Sequence, residues 1–123
     1  MLVDFEPIPF VPTSDLPRAR AFYLDVLGLE FIEESRFALV IRSGSTVIRV
    51  TPVDSPIAQA HTILGWSVPD IEMQITDLVS RGVRPIRYPG MDQNDLGIWL
   101  SPSGARVAWF GDPDGNTLSL TQL

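Results

Sequence analysis

Apolar and polar positions along this chain run through the same order twice. In the first half, Leu16, Ala19, Phe22, Tyr23 and Val26 recur at helical spacing behind Ser14-Asp15, two good N-cap residues. Pro17 falls in the first turn, where proline is tolerated, and Gly28 is placed to close the helix. Ahead of it, residues 8–13 read as a short strand that Pro9 and Pro12 assign to a sheet edge. Behind it, 30–32, 37–41 and 46–51 read as strands, the last two joined by the turn Ser43-Gly44-Ser45.

The second half repeats the order. Residues 63–68 read as a strand and Asp70 as an N-cap; Ile71, Ile75, Leu78 and Val79 form the stripe of a helix ending at Gly82. Further strands are predicted near 85–88 and 98–100, and over 107–110 and 117–120. Asp15 and Asp70 lie 55 residues apart, and the intervals from cap to closing glycine are 13 and 12. A period this long points to a duplicated βαβββ module, the first at about 6–53 and the second at about 60–123. A module of roughly 50 residues does not bury both its faces alone. The two are therefore expected to pack as one α+β domain over 1–123. The polar loop from Tyr88 to Gly97 has no counterpart in the first half, and loops of that length are often functional.

Composition narrows the chemistry. The apolar share of 45% and charged share of 20% are those of an ordinary globular protein. The absence of cysteine excludes disulfides, thiolate zinc sites and thiol nucleophiles. The amino-terminal MLVDFEPIPF lacks a basic segment and carries two acids, so it does not read as a signal peptide. No apolar run approaches the length of a membrane span, and a cytoplasmic location without membrane partners is expected. A net charge of −6 argues against nucleic acid, whose phosphates call for a basic surface.

FYLDVLGLEF at 22–31, the cap-helix-glycine pattern from Asp70 to Gly82, and GARVAWFGDPDGNTLSL at 104–120 together resemble the glyoxalase/bleomycin-resistance/dioxygenase superfamily, also called the vicinal-oxygen-chelate fold. The resemblance covers almost the whole chain. It implies two βαβββ modules whose mixed sheets curl into a cup with helices outside, and a homodimer, the usual form of members this short. In the family's enzymes the cup holds a divalent metal, which acts as a Lewis acid on vicinal substrate oxygens.

The metal ligands do not carry over. The resemblance maps the family's first histidine to Ile8, the first module's glutamate to Ile48 or Arg49, the third ligand to Ile63 and the last glutamate to Ser119. Isoleucine offers no donor atom, a guanidinium has no lone pair to give, and a neutral hydroxyl is a poor ligand for a hard divalent ion. No metal or other cofactor is expected. His61, the only histidine, stands two residues before Ile63 and reaches the ligand position only if the strand extends back and its register slips by two. It reads as a structural or rim residue, a ligand contact or a metal ligand. No Ser-His-acid set and no glycine-rich phosphate loop can be read from the spacing.

A cup without metal is still a concave pocket. Strand alternation points Ile8, Phe10 and Pro12 inward from the first strand, Val47 and Arg49 from the fourth, Ile63, Gly65 and Ser67 from the fifth, and Ser119 from the last. A buried guanidinium without a partner is costly. Arg49 therefore meets either an internal acid or a ligand's carboxylate, phosphate or carbonyl. Trp66 shares the parity of Leu64 and reads as core, whereas Trp99 and Trp109 flank the long loop and the DPDGN turn and are candidates for stacking on a flat ligand. Phe10, Arg49, His61, Trp99, Trp109 and Ser119 are the candidate ligand-binding residues, with no catalytic residue assigned. The leading expectation is a metal-independent binding protein of the bleomycin-resistance type that takes up an aromatic or amphipathic small molecule. The alternatives are a metal-dependent lyase or dioxygenase using His61, an isomerase using Arg49, and a degenerate partner that mainly dimerises.

Overall fold

Both predicted helix starts are capped by the aspartates the sequence offers. Asp15 Oδ1 accepts from Arg18 N–H at 3.1 Å, and Asp70 Oδ1 accepts from Met73 N–H at 3.1 Å. Each bond satisfies a donor that a helix start otherwise leaves unpaired. The computed structural model describes residues 1–123, and the two caps fall in separate compact units, Met1–Ile57 and Ala58–Leu123.

In the first unit a short 3-10 turn, Leu2–Asp4, precedes β1 (Phe10–Thr13), α1 (Leu16–Arg20), β2 (Glu30–Glu34), β3 (Leu39–Ser43) and β4 (Thr46–Pro52). The strands form one sheet in the order β1-β4-β3-β2, with β1 parallel to β4 and at the edge, a position that tolerates the N–H missing at Pro12. Alternate residues supply the core: Val11, Leu39, Ile41, Ile48 and Val50 are each at most 1% exposed, together with Ala19 and Tyr23 from the helical segment. α1 packs on β4.

In the second unit β5 (Thr62–Ser67) leads into α2 (Ile71–Ser80), followed by β6 (Trp99–Leu100), β7 (Arg106–Gly111) and β8 (Thr117–Gln122). The order β5-β8-β7-β6, with β5 parallel to β8, reproduces the first sheet's topology. Ile71 and Ile75 of α2, and Ala108, Phe110 and Leu118 of the sheet, form the core, and Trp66 stacks on Phe110 with centroids 6.4 Å apart. The architecture is α+β: two open, four-stranded mixed sheets, one per βαβββ module. No helix is long and apolar enough to cross a membrane.

The structure departs from the sequence reading in local detail. The first helix does not stay α: it runs into a π-helical segment, Ala21–Val26, in which Leu27 N–H reaches back five residues to Phe22 O at 2.9 Å. β1 begins at Phe10, leaving Ile8 outside the strand and 51% exposed. The stretch near 85–88 is not a strand. Pro85 makes one isolated bridge to Phe110, and proline's missing N–H cannot extend it into a ladder. Val79 is 45% exposed, because the buried stripe of α2 is completed by Ile71, Ile75 and Leu78.

Gly65 and Ser119 are Cα partners across β5 and β8, and a Cβ built on Gly65 would stand 2.7 Å from Ser119 Oγ. Gly65→Ala is expected to lower stability by about 1 kcal/mol through this overlap. Adding Ser119→Ala should restore most of the loss, a coupling that urea unfolding of the two single variants and the double variant would read.

Candidate functional site

β4 places its side chains on two faces. Ile48 and Val50 point into the core beside α1, so Val47, Arg49 and Thr51 stand on the opposite face. Arg49 is flanked in register by Phe10 of β1 and Val40 of β3. Phe10 is 63% exposed and Arg49 half-buried. The guanidinium of Arg49 forms no ion pair or hydrogen bond within the protein, although its backbone N–H donates to Pro9 O at 2.9 Å. The neighbouring Arg42 on the same face pairs with Glu30.

The second sheet divides in the same way. Leu118 and Leu120 face the core with Ala108 and Phe110, which puts Ser119, Trp109 and Trp99 on the opposite face. Ser119 and Trp109 are Cα partners across β7 and β8. Trp99 and Trp109 lie with ring centroids 6.1 Å apart at 38°, and Tyr88 meets Trp109 edge-on at 5.4 Å and 90°. All three rings are half-buried, so each keeps part of its surface open. Tyr88 belongs to this cluster although nothing in its sequence position singles it out beyond an aromatic at the start of the long loop.

That loop is held by two side-chain amides. Gln93 Nε2 donates to Ile86 O and Gly97 O, both at 2.9 Å, and Gln93 Oε1 accepts from Tyr88 N–H at 2.8 Å. Asn94 Oδ1 accepts from Leu96 N–H and Ile98 N–H, and Arg87 donates to the carbonyls of Gln93 and Asn94. The aromatic cluster therefore rests on a pinned loop. Gln93→Ala removes three bonds to backbone at once and is expected to speed amide hydrogen exchange over 86–98, while exchange in α2 stays as in the unaltered protein.

The sites implied for a metal do not fit one. Ile8, Ile48, Ile63 and Ser119 supply no carboxylate, imidazole or thiolate, and Arg49 is a cation. Nowhere do three or more His, Asp or Glu side chains gather as an ion would need. His61 is exposed and lies in the bend before β5, so the strand does not reach back to it. The candidate residues thus form two groups, Phe10 with Arg49 on the first sheet and Trp99, Trp109 and Ser119 on the second, with His61 apart from the ladder. A shallow hollow along the outer side of α2, edged by Glu72, Met73 and Asp77, offers little to a ligand. Glu72 is paired with Arg106 at 2.6 Å and Asp77 with Arg81 at 3.2 Å.

The sequence profile described as the Glyoxalase/Bleomycin resistance protein/Dioxygenase superfamily matches residues 7–120. Among solved structures, a superfamily member from Sphaerobacter thermophilus is 19% identical with a TM-score of 0.77, all of both chains being covered. A bleomycin resistance determinant encoded on the transposon Tn5 is 21% identical with a TM-score of 0.75, over 96% of this chain and 97% of that one. A lactoylglutathione lyase from Agrobacterium tumefaciens is 17% identical with a TM-score of 0.69, over 94% and 90%. These likenesses concern the fold. No curated protein matches the sequence.

Proposed function

The chain belongs to the Glyoxalase/Bleomycin resistance protein/Dioxygenase superfamily, and we propose that within it this protein is a metal-independent binder of the bleomycin-resistance type that sequesters an aromatic or amphipathic small molecule. The observation that carries this reading is the cluster of Tyr88, Trp99 and Trp109: Trp109 meets each of the other two rings, and all three keep open surface, the tryptophans on the core-opposed face of the sheet. Rigid aromatic surface of this kind gains from stacking on a flat ligand at small entropic cost. Within the second unit Ser119 beside Trp109 adds a hydroxyl for orientation and exposed His61 a further polar group; in the first unit Phe10 and Arg49 offer a ring and a cation of their own. The binding form is a homodimer, in keeping with exposed apolar side chains such as Phe37 and Leu100.

The test is a fluorescence titration with bleomycin and with a panel of aromatic amphiphiles, under conditions where light scattering gives the oligomeric state. Saturable quenching at one ligand per dimer or per subunit, with the ligand recovered chemically unchanged, is the expected result. Turnover of any panel member would replace the binding reading by an enzymatic one.

A further inference from the structure

Four charged residues are withdrawn from full exposure: Arg49, Arg106, Asp112 and Asp114. Arg106 has Glu72, Asp112 accepts three hydrogen bonds from its own turn, and Asp114 is also engaged. Arg49 alone is half-buried without a protein partner. No carboxylate lies within ion-pair distance of its guanidinium: Glu33, which aligns with it across Val40, makes no ion pair with it, and Glu30, further along the same strand, is taken by Arg42. Its flanks are Phe10 and Val40, apolar neighbours that strengthen any charge-assisted bond made there.

We propose that Arg49 is an anion-recognising residue, so that with Phe10 beside it the first unit takes an aromatic molecule bearing a carboxylate or a comparable oxyanion. This rests on the binding reading above and sharpens it. A guanidinium presents a planar fork of N–H donors that matches an oxyanion through two parallel bonds. The phenyl ring of Phe10, 63% exposed and in register with Arg49, gives the ligand's ring a face beside that fork. The protein's net charge of −6 repels anions at long range, so the selectivity is local to this one side chain.

Anilinonaphthalene sulfonate and phenylnaphthylamine share a ring system and differ in the anionic group, which makes them a matched pair of probes. The unaltered protein should bind the sulfonate about tenfold more tightly or better. Arg49→Gln should erase that preference while affinity for the neutral probe is kept, which also reports that the variant is folded. Arg49→Lys should retain part of the preference. Arg84→Gln, at an exposed arginine with no partner, should leave it intact. Equal affinity for both probes in the unaltered protein, or an unchanged ratio in Arg49→Gln, overturns the assignment and leaves the binding reading standing. Binding of neither probe overturns both.

Discussion

Replacing Asp112 by alanine is expected to lower stability by about 3 kcal/mol, since a buried polar group left without its partner costs about 1–3 kcal/mol and more than one is orphaned here. Asp112 is 8% exposed and Asn116 1%. Asp112 Oδ1 accepts from the backbone N–H groups of Asp114 and Asn116, each at 2.9 Å, and Oδ2 accepts from Asn116 Nδ2 at 2.8 Å. Gly115, at φ 83°, completes the turn by donating its N–H to Asp112 O, a conformation for which glycine carries no steric penalty. The DPDGN segment thus builds its own hydrogen-bonded plug between β7 and β8. Thermal unfolding should show the loss as a drop of roughly 10 °C or more. Asp112→Asn should lose less, because its amide oxygen still accepts from the backbone. A midpoint within 2 °C of the unaltered protein in Asp112→Ala would mean that the turn is held by its backbone alone.

Trp99→Ala and Trp109→Ala should each weaken ligand binding by about 2 kcal/mol, roughly thirtyfold, the loss expected for truncating an aromatic anchor. The two variants separate binding from support. Trp109 touches both Tyr88 and Trp99, so its truncation also loosens the cluster and lowers stability. Trp99 contacts Trp109 alone among the rings and lies on a strand of two residues, so its loss should fall mainly on affinity. Trp66→Phe, which alters a ring stacked in the core on Phe110, should leave affinity unchanged and remove background fluorescence from the titration. Equal binding by Trp99→Ala and the unaltered protein would remove the cluster from the site.

How much of this was legible in the sequence depended on whether the signal was local. The repeat was readable because each helix is announced by its own aspartate and closed by its own glycine, and both caps form as the spacing requires. Ser119 could be placed opposite Leu118 and Leu120 because alternation within a short strand is nearly rigid, whereas its pairing with Trp109 across β7 and β8 shows only in the fold. The stretch near 85–88 reads as a strand in the sequence, but Pro85 has no N–H to extend its bridge to Phe110, and Ile86 O is taken by Gln93 Nε2. The π-helical segment after Arg20 carries no mark in side-chain periodicity, since it shifts hydrogen bonds by one residue while Ala19 and Tyr23 stay buried. Tyr88 and Gln93 were out of reach because their roles arise from contacts across a folded loop. The lack of an internal acid for Arg49 is likewise a fact of three dimensions, which sequence spacing left open.

The central claim is that ligand uptake needs no metal, and metal content measured beside binding tests it most directly. Protein incubated with Ni, Zn, Mn and Fe(II), desalted and weighed for bound metal by mass spectrometry should hold far less than one equivalent, and a chelator-treated sample should bind the aromatic probe as tightly as the untreated one. Stoichiometric metal that disappears in His61→Ala, with probe binding lost on chelation, would contradict the account and make the protein a metal enzyme candidate.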